Sequence, residues 1–158
     1  NLVNRSLSML QRYRKGIVPA RADELAPEVT RAVAAAQEQL RHYQLQSALE
    51  TIWSVVNRAN QYVEQTAPFK LAKDPAQASR LEAVLYNLAE TCRVLSVMLW
   101  PFLPTTAGKI YAQLGLTGEP NQYAAAQWGG LAPGHTIGAA VPLFPRKDQP
   151  PAPTGKGG

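Results

Sequence analysis

The stretch Asn60 to Asp74, NQYVEQTAPFKLAKD, holds the residues best suited to do chemistry. A helical pattern runs into Thr66-Ala67-Pro68. The proline has no backbone N–H to donate, and its ring disfavours helical geometry at Ala67, so the sequence predicts a helix end there. Phe69 follows the break, with Lys70 and Lys73 close behind. An aromatic ring on a rigid corner beside cations can stack on an unpaired nucleic-acid base. The same ring could instead plug the end of a helical bundle. A second constellation opens the chain, where Asn1, Arg5, Ser8 and Arg12 recur at steps of four, three and four. Such steps line up one stripe of a helix. The stripe is either an ordinary wet face or a row of base-edge and phosphate donors, since Asn carries both a donor and an acceptor and Arg a forked donor.

Other chemistries find no foothold. His42 and His135 have no second histidine at ligand spacing, so no metal site is arguable. Gly129-Gly130 lacks the Lys-Ser/Thr that completes a phosphate cradle. No serine sits in a nucleophile-elbow motif. The carboxylates are expected on helix surfaces, with no pair on an apolar face where its pKa would move. Cys92 is the only cysteine, which excludes an internal disulfide and a multi-cysteine zinc site and fits a reducing compartment. It lies within an apolar stripe and reads as a small core residue. The segment is expected to be catalytically silent, which leaves binding.

Those residues need elements to position them. Leu2, Val3, Met9, Leu10 and Tyr13 predict a helix from residue 1 to about 15, stopped by Gly16 with Pro19 beyond. Asp23 or Glu24 can help begin a second helix, with Pro27 in its first turn and Val29, Val33, Ala36, Leu40 and Tyr43 in the rhythm of a packed helix. A third carries Leu45, Leu49, Ile52, Val56, Ala59 and Val63. Trp53 reads as core, while Asn57, Arg58 and Asn60 read as solvated. No Gly or Pro marks Tyr43-Gln44. We expect a short hairpin turn there rather than one bent helix. Asp74-Pro75 is a helix-start signal. The helix after it, to about Trp100, is apolar over a wide arc from Leu81 to Leu99, which predicts the central helix of a bundle. Thr105 or Thr106 can cap a last helix holding Ile110, Tyr111 and Leu114 and closed by Gly115.

From Leu116 periodicity gives way to Gly/Pro punctuation, WGGLAPGHTIGAAVPLFPR. Trp128, Leu131, Ile137, Val141, Leu143 and Phe144 are too apolar for a free linker and should pack on the helices. The end, KDQPPAPTGKGG, reads as a flexible tail. The expectation is an all-α helical bundle of about five helices over 1–116, an irregular segment packed across it over 117–146, and a tail over 147–158.

Composition agrees with a binding role. The 158 residues, 46% of them hydrophobic, suit one domain with a sizeable core. The net charge of +5 permits a polyanionic partner, and Arg5, Arg12, Arg14, Lys15 and Arg21 all precede the first acid, Asp23. No apolar run reaches the roughly 20 residues that span a membrane, and no signal-peptide arrangement opens the chain. A start on Asn1 without methionine leads us to expect a piece of a longer or processed chain.

Read as one string, these residues resemble the anticodon-binding domain of methionyl-tRNA synthetase, a class I aminoacyl-tRNA synthetase. The matching motifs are NLVNRSLSMLQRY at 1–13, ALETIWSVVNRANQYVEQTAPFKLAK at 48–73, LEAVLYNLAETCRVLSVMLWPFLPTTAGKIYAQLGL at 81–116 and WGGLAPGHTIGAAVPLFPR at 128–146. The likeness spans nearly the whole chain except the 16–43 stretch and the tail. It implies a helical bundle that follows a Rossmann-type catalytic domain in a parent enzyme, which uses ATP and magnesium to load methionine onto its tRNA. The adenylate-forming signatures are absent here, and Gly134-His135-Thr136-Ile137-Gly138 has one His where the motif needs two.

Members of that family read the CAU anticodon with an Asn and an Arg one turn apart on the first helix, and with a Trp after a Pro at the corner. By motif these positions fall on Asn1, Arg5 and Phe69, with Pro68 fixing the corner. Phe69 in place of Trp keeps a stacking face and loses the indole N–H. Arg12 and Lys73 are candidate phosphate contacts. The resemblance implies no cofactor or metal in this segment and no membrane. It implies the anticodon stem-loop of tRNA(Met) and the catalytic domain of the same chain as partners, in the cytoplasm. Two alternatives stand beside it: a non-catalytic helical protein-interaction bundle, and the equivalent domain of a sister class I synthetase, which the motifs disfavour. Exposure of Phe69 separates the first of these from an RNA-binding role.

Overall fold

Residues 81–99 form the middle of the molecule because almost every side chain there is taken out of water. A computed structural model describes residues 2–138. Asn1 and 139–158, with Val141, Leu143, Phe144 and the expected tail, lie outside the described residues. The helices are α1 (Leu2–Arg14), α2 (Ala26–Arg41), α3 (Leu45–Thr66), the four-residue α4 (Pro68–Leu71), α5 (Ala78–Leu99) and α6 (Pro104–Gln113). Short 3-10 turns occupy Pro75–Gln77 and Tyr123–Ala126. No strand forms among the described residues, and the fold is all-α as expected. Helix α5 touches every other helix, so the wide apolar arc did mark the central helix. Cys92 is fully buried on it, and burial pushes the thiol up to about 12. It is a core residue, as expected.

The turn between α2 and α3 is the expected hairpin. Tyr43 takes a left-handed φ of 57°. Its N–H reaches Leu40 O and the Gln44 N–H reaches Gln39 O, the paired bonds of a Schellman ending. Tyr43 is therefore 89% exposed rather than inward-facing. Trp53 also departs from expectation. It is 56% exposed, because Ala48, Ile52, Val55, Ala59 and Val63 supply the stripe of α3 that turns into the bundle. Helix α2 begins at Ala26 with Pro27 in its first turn, as expected, but neither Asp23 nor Glu24 caps it: the Asp23 carboxylate bonds Arg21, Glu24 bonds Arg80, and the Leu25 N–H donates to Asn87 Oδ1. Asp74 does cap, but it caps the 3-10 turn, with Oδ1 accepting from Ala76 N at 3.0 Å. Neither Thr105 nor Thr106 caps α6, which starts directly on Pro104. Its end is as expected, with Gly115 at φ 71°.

One carboxylate contradicts the surface placement expected of all of them. Glu90 is completely buried on α5, paired with Arg93 one turn on. The Arg93 Nε donates to Glu90 Oε1 at 2.8 Å, and its terminal nitrogens donate to Ala125 O at 2.7 Å and Gln127 O at 2.6 Å. Glu90 accepts from the backbone N–H groups of Gly129, Gly130 and Leu131, at 3.2, 3.2 and 2.9 Å. The irregular stretch after α6 is thus fastened to the central helix through its own main chain. Gly129 and Gly130 are required by that approach: a Cβ on Gly130 would overlap the Arg93 guanidinium, and one on Gly129, at φ 97°, would meet Arg21. Around this clamp the Trp128 Nε1–H donates to Ala22 O, and the Tyr86 hydroxyl donates to Leu131 O at 3.0 Å.

A second network ties the loop before α2 to α3 and α5. The Arg80 guanidinium donates to both Glu24 oxygens, at 2.6 and 3.1 Å, and the Tyr62 hydroxyl donates to Glu24 at 2.8 Å. Arg80, and secondarily Tyr62, hold the Glu24 carboxyl below its ordinary value against the opposing effect of partial burial.

Two measurements check these networks. Replacing Glu90→Gln leaves the Arg93 charge buried without its counter-ion and should cost about 3–5 kcal/mol in urea unfolding. The depressed Glu24 contributes stability above its unfolded pKa of about 4.3, and that contribution is lost as pH falls through the lower folded value. Glu24→Gln should therefore lose less melting temperature than the parent between about pH 5 and 3, read by circular dichroism.

Candidate nucleic-acid interface

The corner is built by backbone strain on one side and burial on the other. Helix α3 ends at Thr66, and Ala67 swings to φ 45°, ψ 67°, a left-handed conformation for a residue with a Cβ. Such a conformation costs on the order of 1–3 kcal/mol and persists where surrounding structure holds it. Here Pro68 supplies the hold. Its fixed φ suits the first position of a helix, and it starts α4 while lying buried. Pro68 thus ends one helix, as the sequence predicts, and begins another. Leu71 packs against the core and α4 lies on α5.

With Pro68 and Leu71 turned inward, Phe69 and Lys70 are left outward. Phe69 is 49% exposed and is not among the residues packed on the core. It does not plug the bundle. Lys73, just after α4, is exposed as well.

On α1 the polar stripe faces solvent at Arg5, Ser8 and Arg12. Arg5 Nη2 meets Glu64 Oε1 at 3.2 Å, which joins α1 to the last turns of α3, three residues before Ala67. Two open concavities flank this pair. One, of about 430 Å³, is lined by Asn4, Arg5, Ser8, Met9, Arg12 and Tyr13. The other, of about 600 Å³, is lined by Asn57, Asn60, Gln61, Glu64 and Gln65. The Arg12 guanidinium stands 5.7 Å from the centroid of the Tyr13 ring, a cation–π arrangement. Arg14 pairs with Glu82 at 2.9 Å, so the end of α1 lies against the start of α5, the helix that also carries α4.

The structure therefore brings Arg5 to the α3 end from which the corner departs, and it leaves Phe69, Arg12 and Lys73 accessible. Asn1 lies outside the described residues. Sequence reading took Asn57 and Asn60 as solvated surface and gave Gln61 and Gln65 no role. Their common signal was a polar face on α3 with both donors and acceptors, which is what base edges require. Among the described residues no group of three His, Cys, Asp or Glu could hold a metal ion, and no helix is long and apolar enough to cross a membrane.

Comparison with known proteins assigns the fold. A family model described as the anticodon binding domain of methionyl tRNA ligase matches residues 14–149, a span that contains Pro68 and Phe69 and begins after Arg5. The methionine–tRNA ligase of Caldanaerobacter subterraneus subsp. tengcongensis is 34% identical over 154 residues, covering 94% of this chain and 24% of that protein. The Bacillus subtilis methionine–tRNA ligase is 37% identical over 126 residues, covering 75% of this chain and 19% of the relative. The chain thus spans about a quarter or less of the length of these relatives. Among solved structures, Mycobacterium tuberculosis methionyl-tRNA synthetase in complex with methionyl-adenylate superposes with a TM-score of 0.79 at 30% identity, covering 92% of this chain and 30% of that one. A helical bundle organised on α5, an outward aromatic at a proline corner and a family match over most of the sequence agree: the chain belongs to the anticodon-binding domains of the methionyl-tRNA ligase family.

Proposed function

We propose that this chain reads the CAU anticodon of tRNA(Met) for a methionine–tRNA ligase. The observation that carries the reading is the half-exposed ring of Phe69, held outward at the corner by a buried proline. Anticodon bases are single-stranded and can be splayed out, stacked and read on their Watson–Crick edges. Phe69 supplies the stacking face, and Pro68 with Ala67 fixes where that face points. Arg5 supplies a forked donor to a base edge or phosphate, and Asn1 a paired donor and acceptor. Arg12 and Lys73 neutralise backbone phosphates of the loop and stem.

The methionine, ATP and magnesium chemistry belongs to the catalytic domain of the parent ligase, whose adenylate-forming signatures this sequence lacks. On this reading that domain lies in the same chain, the stem-loop of tRNA(Met) is the RNA partner, and the ligase works in the cytoplasm. A protein-interaction bundle without RNA would have Phe69 packed inward, and the exposed ring argues against it.

Filter binding of full-length ligase to initiator tRNA, wild type and anticodon-swapped, tests the assignment. Phe69→Ala should weaken binding by about 1–3 kcal/mol, the usual worth of one stacked base. Arg5→Ala should narrow the preference for CAU over altered anticodons. Equal affinity of the unmutated ligase for every anticodon would overturn the proposal.

A further inference from the structure

Residues 67–77, which carry Phe69, hold themselves together but are tied to little else. Among the described residues, their hydrogen bonds run within the corner or to the ends of the two helices it joins. Ala67 N–H reaches Val63 O, Lys70 N–H reaches Ala67 O, Ala72 N–H reaches Pro68 O and Gln77 N–H reaches Asp74 O. The Asp74 carboxylate also bonds inside the corner, to Ala76 N. Contact with the bundle is apolar, through Pro68 and Leu71. Apolar burial is non-directional, so it keeps α4 down on α5 without fixing its tilt. The tilt is set by the two helix ends from which the corner springs, the last turn of α3 and the first turn of α5.

One side chain bridges those ends. Glu24 accepts from the Tyr62 hydroxyl at 2.8 Å, one turn before Thr66, and from Arg80 in the first turn of α5 at 2.6 and 3.1 Å. Tyr62 is locked in turn, since it is buried and its carbonyl accepts from Thr66 Oγ1, at the last residue of α3, at 2.7 Å. Glu24 is itself held from behind. The neighbouring Leu25 is buried and donates its N–H to Asn87 Oδ1 at 2.9 Å, and Ala22 O accepts from Trp128 Nε1 at 3.1 Å. The carboxylate is thus a fixed post to which both hinges of the corner are fastened. The Arg80 fork grips both of its oxygens, which fixes direction as well as distance.

We propose that Glu24 is a positioning residue for anticodon reading, acting through Tyr62 and Arg80 to set the direction in which Phe69 presents its ring; the inference rests on the proposed function. Stacking needs the ring face at one angle, and a corner free to tilt holds that angle for only part of the time. Apparent affinity then falls by the fraction of time the angle is held. A carboxylate offers phosphates only repulsion, so affinity lost on removing it is not lost attraction to the RNA backbone.

The test is a double-mutant cycle in full-length ligase, read as affinity for initiator tRNA. Glu24→Ala should weaken binding about fivefold, as when the competent angle is populated about one-fifth of the time. Tyr62→Phe removes one hydroxyl and leaves the buried ring, and should weaken binding about threefold. Methionine-dependent ATP–pyrophosphate exchange should be unchanged in both. In a Phe69→Ala background each substitution should change affinity less than about 1.5-fold, because side chains that act through the ring have nothing left to position. Unchanged affinity in both single variants overturns the inference. So does an effect of full size in the Phe69→Ala background, which a general loss of stability or a direct contact of Glu24 with the RNA would give. If Glu24→Ala fails to fold, Tyr62→Phe decides alone by the same two criteria. Equal affinity of the unmutated ligase for every anticodon, or no effect of Phe69→Ala by itself, strikes the proposed function instead. The two failures are thereby distinguishable.

Discussion

Glu90 and Arg93 carry opposite charges into the most buried helix of the molecule, and much of the arrangement follows from the need to satisfy them. A charge removed from water is tolerated only when it is paired and fully hydrogen-bonded. The partners that complete this pair are main-chain groups of residues 125–131: two carbonyls for the guanidinium and three N–H groups for the carboxylate. A segment without helix or strand thereby gains a single docked position, because no other register presents those donors and acceptors together. An apolar contact would be less selective about register. The clamp also accounts for Gly129-Gly130, where any side chain would occupy the space that the ion pair and Arg21 take up.

With α5 enclosed in this way, the remaining helices are arranged by what they can bury against it. The corner at 66–69 is an instance. Proline forbids continuation of α3, yet the chain must still cover the beginning of α5. Helix α4 does so with Pro68 and Leu71, and a four-residue helix has no third inward position to give Phe69. The ring is outward because of where its neighbours are needed. The strained φ of Ala67 is the local cost of reversing direction in a single residue.

Surface chemistry then divides into two regions of different character. Around the Arg5–Glu64 pair lie amides, the Arg12 cation and the Tyr13 ring, a polar, hydrogen-bonding surface. Around Trp53 and Leu103 lies aliphatic and indole surface with few polar groups, suited to protein. Helix α3 contributes to both, and its apolar pattern is broader than its own bundle consumes.

The sequence by itself determined the helices and most of their ends. Helical periodicity, Gly16, Pro68, Asp74-Pro75 and Gly115 are local signals that act within a few residues and need no partner. It also determined the family, because NLVNR, TAPF and WGGL are contiguous strings. Tertiary structure alone decided which side of each element faces inward. Trp53 and Tyr43 match the helical rhythm as well as Ile52 does, and periodicity cannot rank two adjacent stripes until the neighbouring helices are in place. Glu90 was illegible for the same reason, since a carboxylate looks like surface until the backbone groups that neutralise it, some 40 residues away, have folded onto it. That Arg5 on α1 pairs with Glu64 near the end of α3 was likewise fixed by packing, which no spacing within either segment encodes.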